Sequence, residues 1–268
     1  MCAKLGMSRQ NYYAARRRRQ REEVDALFVE ELVKAERRVQ PRLGTRKLHV
    51  LLREPIAEAG VKLGRDRFFE VLREKSLLLE PLPRSPRTTN SLHSLPVFGN
   101  LLKDMELSGP DQAWVADLTY IRTDAGFMYA ALITDAWSRK IVGFHIGDSL
   151  EAQGCLDALE GALRELPEGR HPLHHSDRGC QYCCHLYVDR CREAGISVSM
   201  TEELHCYENA KAERVNGILK QEYGLGGTFR TKALAREAFE QAVHLYNHRR
   251  PHQSLGYRIP AQVHAQAA

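Results

Sequence analysis

The chain has 268 residues, 43% of them hydrophobic and 27% charged, and a formal net charge of +5. This balance excludes collagen-like, low-complexity and coiled-coil classes, and the length allows a real core without disulfide or metal staples. No apolar run approaches the ~18 residues of a membrane span and the N-terminal MCAKLGMSRQNYYAARRRR lacks a signal's apolar stretch, so the expectation is a cytoplasmic protein without a membrane partner, its seven cysteines free thiols.

The charge is uneven. Residues 1–89 hold 21 basic and 12 acidic groups, whereas residues 90–268 hold 18 and 22. The run Arg16, Arg17, Arg18, Arg19 and Arg21 is a candidate contact for a polyanion, with a merely solvated arm as the plain alternative.

In chain order, AKLGMSRQNYYAA reads as a turn at Gly6 and a helix capped by Ser8. Val24, Leu27, Phe28, Leu32 and Val33 then recur at helical spacing, as do Leu48, Leu51 and Leu52, and Phe68, Val71 and Leu72 after Asp66 as N-cap. Short helices with Gly-containing turns on a basic background are the pattern of helix-turn-helix modules, and of many other small bundles. Residues 81–111 carry five of the eleven prolines and read as an extended connector between a helical region 1–80 and a catalytic region 112–268.

Beyond the connector the period changes to that of strands. Residues 112–121 alternate with Val115, Asp117, Thr119 and Ile121 on one face, and 127–135 and 140–146 are further β-rich runs. Asp148 with Glu151 resembles a capping box opening a helix striped by Ala152, Cys155, Leu156, Leu159, Ala162 and Leu163. A strand at 171–176, a helix at 183–194, a strand at 196–200 and a helix from about Tyr207 follow. A last helix, 231–246, is expected to bury Leu234, Ala238, Phe239, Ala242 and Val243. The fold class is α/β, a mixed five-stranded sheet with flanking helices behind an all-α region.

Three carboxylates stand out. Asp117 lies inside an apolar strand, where an uncompensated carboxylate costs several kcal/mol. Asp177 falls at a strand end in HHSDRGCQY, and Glu213 shares one helical stripe with Asn209, Asn216 and Lys220. Oxygen-only ligands from two strand ends and a helix suit Mg²⁺ or Mn²⁺. Taken singly, each has a plainer reading as a turn or helix-surface charge, and Asp135, also acidic and near a strand end, reads as structural. His174, His175, Cys180, Cys183, Cys184 and His185 include a CxxC but no second pair at finger spacing, a weak zinc signal. Gly224–Gly227 lacks the Lys and Ser/Thr of a phosphate-binding loop.

The motifs WVADLTYIRT, GFMYAALITDAWSRKIVGF, HHSDRGCQY, ENAKAERVNGILKQEY and YNHRRPHQSLGYRIP together resemble the OrfB-type transposases of the third insertion-sequence family, relatives of retroviral integrases. The resemblance implies an RNase-H-like fold and a DDE transposase: metal-dependent cleavage at the ends of an insertion sequence, then strand transfer. It assigns Asp117, Asp177 and Glu213, with thirty-five residues between the last two, as catalytic metal ligands for Mg²⁺ or Mn²⁺, two ions per active site. Lys220 becomes a contact to the element's terminal DNA. Asn209, Asn216, Arg178, Arg249 and Arg250, with Arg16, Arg17, Arg18, Arg19, Arg46 and Lys47 from the helix-turn-helix-like region, are further candidate DNA contacts. Implied partners are double-stranded DNA, an upstream-frame helix-turn-helix protein or fusion, and other copies of the chain on DNA in a bacterial nucleoid. The alternatives are an RNase-H-like nuclease that cuts without joining and a catalytically silent DNA-binding remnant. The chain departs from the family at Cys180, Cys183 and Cys184, where Ser or Thr is common, and at 201–207, which follow one family branch.

Overall fold

A computed structural model describes residues 8–80, 82, 95–202 and 209–266. The chain divides into two compact units, Met1–Pro81 and Leu82–Ala268.

The first unit is all helical: α1 (Arg9–Val39), α2 (Thr45–Leu51), α3 (Arg53–Glu58) and α4 (Arg65–Glu74). Ser8 caps α1, its hydroxyl accepting from the Asn11 N–H at 3.2 Å. The helix then runs unbroken through both segments that the sequence reads as separate, while Gly6 lies outside the described residues. Its buried positions are Ala26, Val29, Val33 and Glu36. The expected stripe is therefore corrected: Val24 (64% exposed), Leu27 (48%) and Phe28 (36%) face solvent. Apolar residues surround this stretch of α1, so periodicity alone does not fix which face docks against α4. Leu43, Leu48, Leu52, Ile56, Phe68, Val71 and Leu72 complete the core. α4 is capped by Gly64, and Asp66 sits inside its first turn, favourable to the helix dipole but not the cap.

The second unit is a mixed sheet with helices on both faces. Strands β1 (Ala113–Thr123), β2 (Gly126–Asp135), β3 (Ile141–Gly147), β4 (Leu173–Ser176) and β5 (Ser197–Met200) lie in the order β3-β2-β1-β4-β5. The first three form an antiparallel meander, and β4 and β5 run parallel to β1. A sixth strand beyond the five expected, β6 (Thr228–Phe229), pairs with the far end of β1. β4 begins at Leu173 because Pro172 has no N–H for the ladder.

α5 (Ala152–Glu165), α6 (Cys180–Cys183) and α7 (His185–Glu193) cover one face through Trp114, Ala116, Ile133, Leu159 and Tyr187. α8 (Ala210–Glu222) and α9 (Lys232–His248) cover the other through Ile121, Leu132, Val215, Leu219 and Phe239, and a short α10 (Pro260–Ala265) follows. Three expectations change, and the start of a fourth element lies outside the described residues. Glu151, not Asp148, is the N-cap of α5, without a side-chain cap bond, and Asp148 instead lies 3.5 Å from Lys232. The helix expected over 183–194 is two helices broken at extended Cys184. Tyr207 lies outside the described residues, and α8 is described from Ala210. Thr231 caps α9, which leaves Leu234 49% exposed while Ala235 enters the core.

Residues 95–111 contain neither helix nor strand, yet they are fastened to the sheet. Leu95 and Phe98 pack on its core, the Leu101 N–H donates to Ser199 Oγ (2.9 Å), and the Asp111 N–H donates to Asp135 Oδ2 (2.8 Å). Among the described residues no helix is long and apolar enough to cross a membrane.

Candidate active site

Asp117 lies midway along β1, on the face covered by α8. β1 and β4 pair in parallel with Ala113 opposite Leu173 and Val115 opposite His175. The same offset carried two residues further brings Asp177, the first residue beyond β4, alongside Asp117. The apolar runs that set this register therefore also set the acid pair.

α8 is pinned over this point by two amides. Asn209, its N-cap, donates from Nδ2 to the Ala116 carbonyl at 2.9 Å, and Asn216 donates from Nδ2 to Asp117 Oδ2 at 2.8 Å. Glu213 sits one turn before Asn216, and the polar stripe of α8 thus faces β1. Asp117 Oδ1 accepts from the Leu118 N–H at 2.9 Å. Burial first, then the charge of Asp177 and, more weakly, Glu213, push the Asp117 carboxyl up to about 7, against the bonds from Asn216 and Leu118. Burial lowers the Lys220 ammonium, and the charge of Asp117 opposes that shift, so Lys220 belongs to the same electrostatic neighbourhood. Asp177 Oδ1 accepts from the Gly179 N–H at 3.0 Å, and a side chain at Gly179 would crowd that same oxygen.

The donor set fits a hard divalent cation. The charges of Asp177 and Glu213 both act on the buried Asp117 carboxyl, and the buried Oδ1 of Asn216, whose Nδ2 donates to Asp117, has no partner. Among the described residues, the one group of potential ligands drawn within 4.8 Å of one another is instead Asp111, Asp135 and His264. Its carboxylates already accept from protein donors: Asp135 from the Ser138 and Asp111 N–H groups, Asp111 from Trp114 Nε1 at 3.0 Å. His264 Nδ1 shares a hydrogen bond with Ser138 Oγ at 2.9 Å. This cluster ties α10 to the ends of β1 and β2, in keeping with a structural Asp135.

Several of the expected DNA contacts have partners within the protein. Arg250 is 2% exposed and bidentate to Glu222 at 2.7 and 2.9 Å, an internal ion pair closed to phosphate. Asn209 and Asn216 are buried and hold α8 to β1. Arg178 donates from Nε to the Thr201 carbonyl at 2.7 Å and braces the end of β5. Arg249 is exposed at the end of α9, and Arg16–Arg19 are exposed along α1, as is Arg46 on α2, with Lys47 half-buried beside it. The His/Cys cluster disperses: His174 is buried against the Tyr187 hydroxyl (2.8 Å) and pushed down to about 4, His175 bonds Ser199, Cys183 packs on Met200, and Cys180 is exposed. The sequence missed the amide pins, whose signal is a polar residue three after Glu213 on a helix packed against the strand of Asp117.

Residues 108–206 match a family model described as integrase core domain, and residues 194–260 match a second model of that description. Over 97% of its length the chain is 35% identical to the insertion element IS600 uncharacterized 31 kDa protein of Shigella sonnei, spanning 96% of that protein. Over 98% it is 31% identical to the transposase for insertion sequence element IS629 of Shigella sonnei, spanning 90% of it. The chain belongs to the IS3-family DDE transposases. This transposase, a polynucleotidyl transferase acting in transposition and recombination, is also 37% identical over 63% of its length to transposase InsF for insertion sequence IS3A of Escherichia coli (strain K12), of which the match spans 60%. In fold it is similar to a chain of the simian T-cell lymphotropic virus intasome in complex with PP2A regulatory subunit B56 gamma. There the TM-score is 0.51 at 16% identity, with 82% of this chain and 74% of that chain covered.

Proposed function

We propose that Asp117, Asp177 and Glu213 are the catalytic carboxylates of this transposase, cutting DNA at the ends of an insertion sequence and joining those ends to new DNA with Mg²⁺ or Mn²⁺, two ions per site. The observation that carries this reading is the Asp117 carboxyl, pushed up to about 7 by burial and by Asp177 and Glu213 in the notch between β1, β4 and α8. A carboxylate so placed is released from its proton when positive charge enters. Bound divalent ions would supply an activated water or DNA 3′-hydroxyl and neutralise the leaving oxygen. Asn216 orients Asp117 through Oδ2, Gly179 orients Asp177 through Oδ1, and Asn209 fixes the start of the helix that presents Glu213. Lys220, two turns beyond Glu213, offers its ammonium to a phosphate of the element end.

DNA is the partner that relatives named as transposases support, and the intasome likeness is consistent with several copies working together. The basic first unit, with Arg16, Arg17, Arg18, Arg19 and Arg46 exposed on α1 and α2, is the reading for a helix-turn-helix-type DNA-binding region, joined by the connector to the catalytic region. An upstream-frame partner or fusion, and a place on the bacterial nucleoid, belong to the same proposal. Incubating the full chain with labelled end-sequence DNA and Mg²⁺ tests it. Joined products are expected. Cut but unjoined DNA would instead indicate a nuclease, and a shifted but intact band a silent remnant.

A further inference from the structure

A second site lies on another side of α8. An open cavity of about 650 Å³ is bounded by Trp137 and Arg139 after β2, Lys211 in the first turn of α8, and Leu255 and Arg258 in the tail between α9 and α10. Lys211 and Glu213 are two positions apart, ~200° around the helix, so this cavity and the carboxylates use different flanks of one element. No acidic side chain lines it among the described residues.

The cations there lack counter-ions. Arg139 and Lys211 make no side-chain hydrogen bond or ion pair among the described residues. Arg139 is half-buried and Lys211 exposed where they line the cavity. Asp135, four residues before Arg139, has its two oxygens already taken by the Ser138 and Asp111 N–H groups. Arg139 also stands in the left-handed region at φ 65°, uncommon for a side chain of its size and a form of strain that collects at binding sites. Like charges gathered around one cavity with no acid lining it favour the arrival of an anion. Beside them is the half-exposed indole of Trp137, a face on which a base can stack.

We infer that this cavity holds one nucleotide of a DNA strand away from the scissile phosphate, its base on Trp137 and its phosphates on Arg139, Lys211 and Arg258. The cavity volume falls within the ordinary range for a ligand of that size, and its openness suits a strand passing through. The identification as DNA rests on the transposase reading, whereas the cavity, its cations and its aromatic face do not.

The chain's two tryptophans make the test local, because Trp114 is fully buried and Trp137 is not. The full chain is titrated with an eight-nucleotide oligothymidylate in EDTA while tryptophan fluorescence is followed. Saturable quenching is expected, absent in Trp137→Phe, and weakened about tenfold or more in Lys211→Gln and Arg139→Gln but retained in Lys211→Arg. Lys211 lies on an exposed helix surface, so Lys211→Gln keeps the test valid if Arg139→Gln fails to fold, as circular dichroism would show. The inference is overturned by no quenching, by quenching undiminished in Lys211→Gln, or by inorganic phosphate quenching equally at the same concentration. No metal and no cleavage enter the measurement, so a chain that proved unable to transpose could still pass it.

Discussion

At Asp117 the folded chain keeps a proton that the unfolded chain has already lost. The carboxyl titrates near 7 in the fold against an ordinary 3.8, so its contribution to stability is complete below about pH 4 and is lost as pH rises toward 7. Without divalent ions, Asp117→Asn should therefore raise the melting temperature at pH 8, by a few degrees for an expected ~1–3 kcal/mol, and change it little at pH 4. Mn²⁺ should stabilise the wild type at pH 8 and the variant far less. Equal melting of the two proteins at both pH values would contradict the buried, acid-crowded setting. Asn216→Ala removes a donor that lowers this carboxyl. The rising limb of the pH–rate profile should then move to higher pH, with activity approaching the wild type at the alkaline end. A uniform loss at every pH would mean that Asn216 acts otherwise.

Among the elements, the contact between β3 and α5 depends on a residue with no side chain. A Cβ at Gly143 would collide with the Ala158 carbonyl and approach Ala162 Cβ within 2.8 Å, both on α5. Gly143→Ala should cost about 2–3 kcal/mol in urea unfolding, since helix backbone cannot yield as a flexible side chain can. The Arg250–Glu222 pair holds the tail to α8 in the same way. Arg250→Ala should destabilise by about 3–5 kcal/mol, with Glu222→Ala partly restoring stability when added. Loss of DNA affinity without loss of stability would return Arg250 to the role the sequence first implied. What was legible follows from these packings. The succession of strands and helices along the chain, and the placement of the three acids on β1, after β4 and on α8, were readable from β-rich apolar runs and a helical polar stripe. The docking face of α1, the break at Cys184 and the burial of Arg250 were not. Each is decided by a neighbour distant in sequence, and a charged side chain looks the same in sequence whether it meets phosphate or an internal carboxylate.

For the whole molecule, the net charge of +5 conceals +9 in residues 1–89 and −4 in the remainder. The exposed arginines of α1 should supply DNA affinity that is steep in salt and blind to chemistry at the carboxylates. Replacing Arg16, Arg17, Arg18 and Arg19 together by Gln should lower the salt slope of DNA binding by up to about 3–4 and leave cleavage at saturating DNA near wild type. An unchanged slope would make the run a solvated arm.

In the proposed function, Asp117, Asp177 and Glu213 act together on the scissile phosphate. The direct measurement compares Asp117→Asn, Asp177→Asn and Glu213→Gln with wild type on labelled end-sequence DNA in Mg²⁺, with binding measured in parallel. Each variant should lose cleavage and strand transfer by at least about a thousandfold while binding DNA within a few-fold of wild type. Strand transfer retained by any one of the three would contradict the assignment.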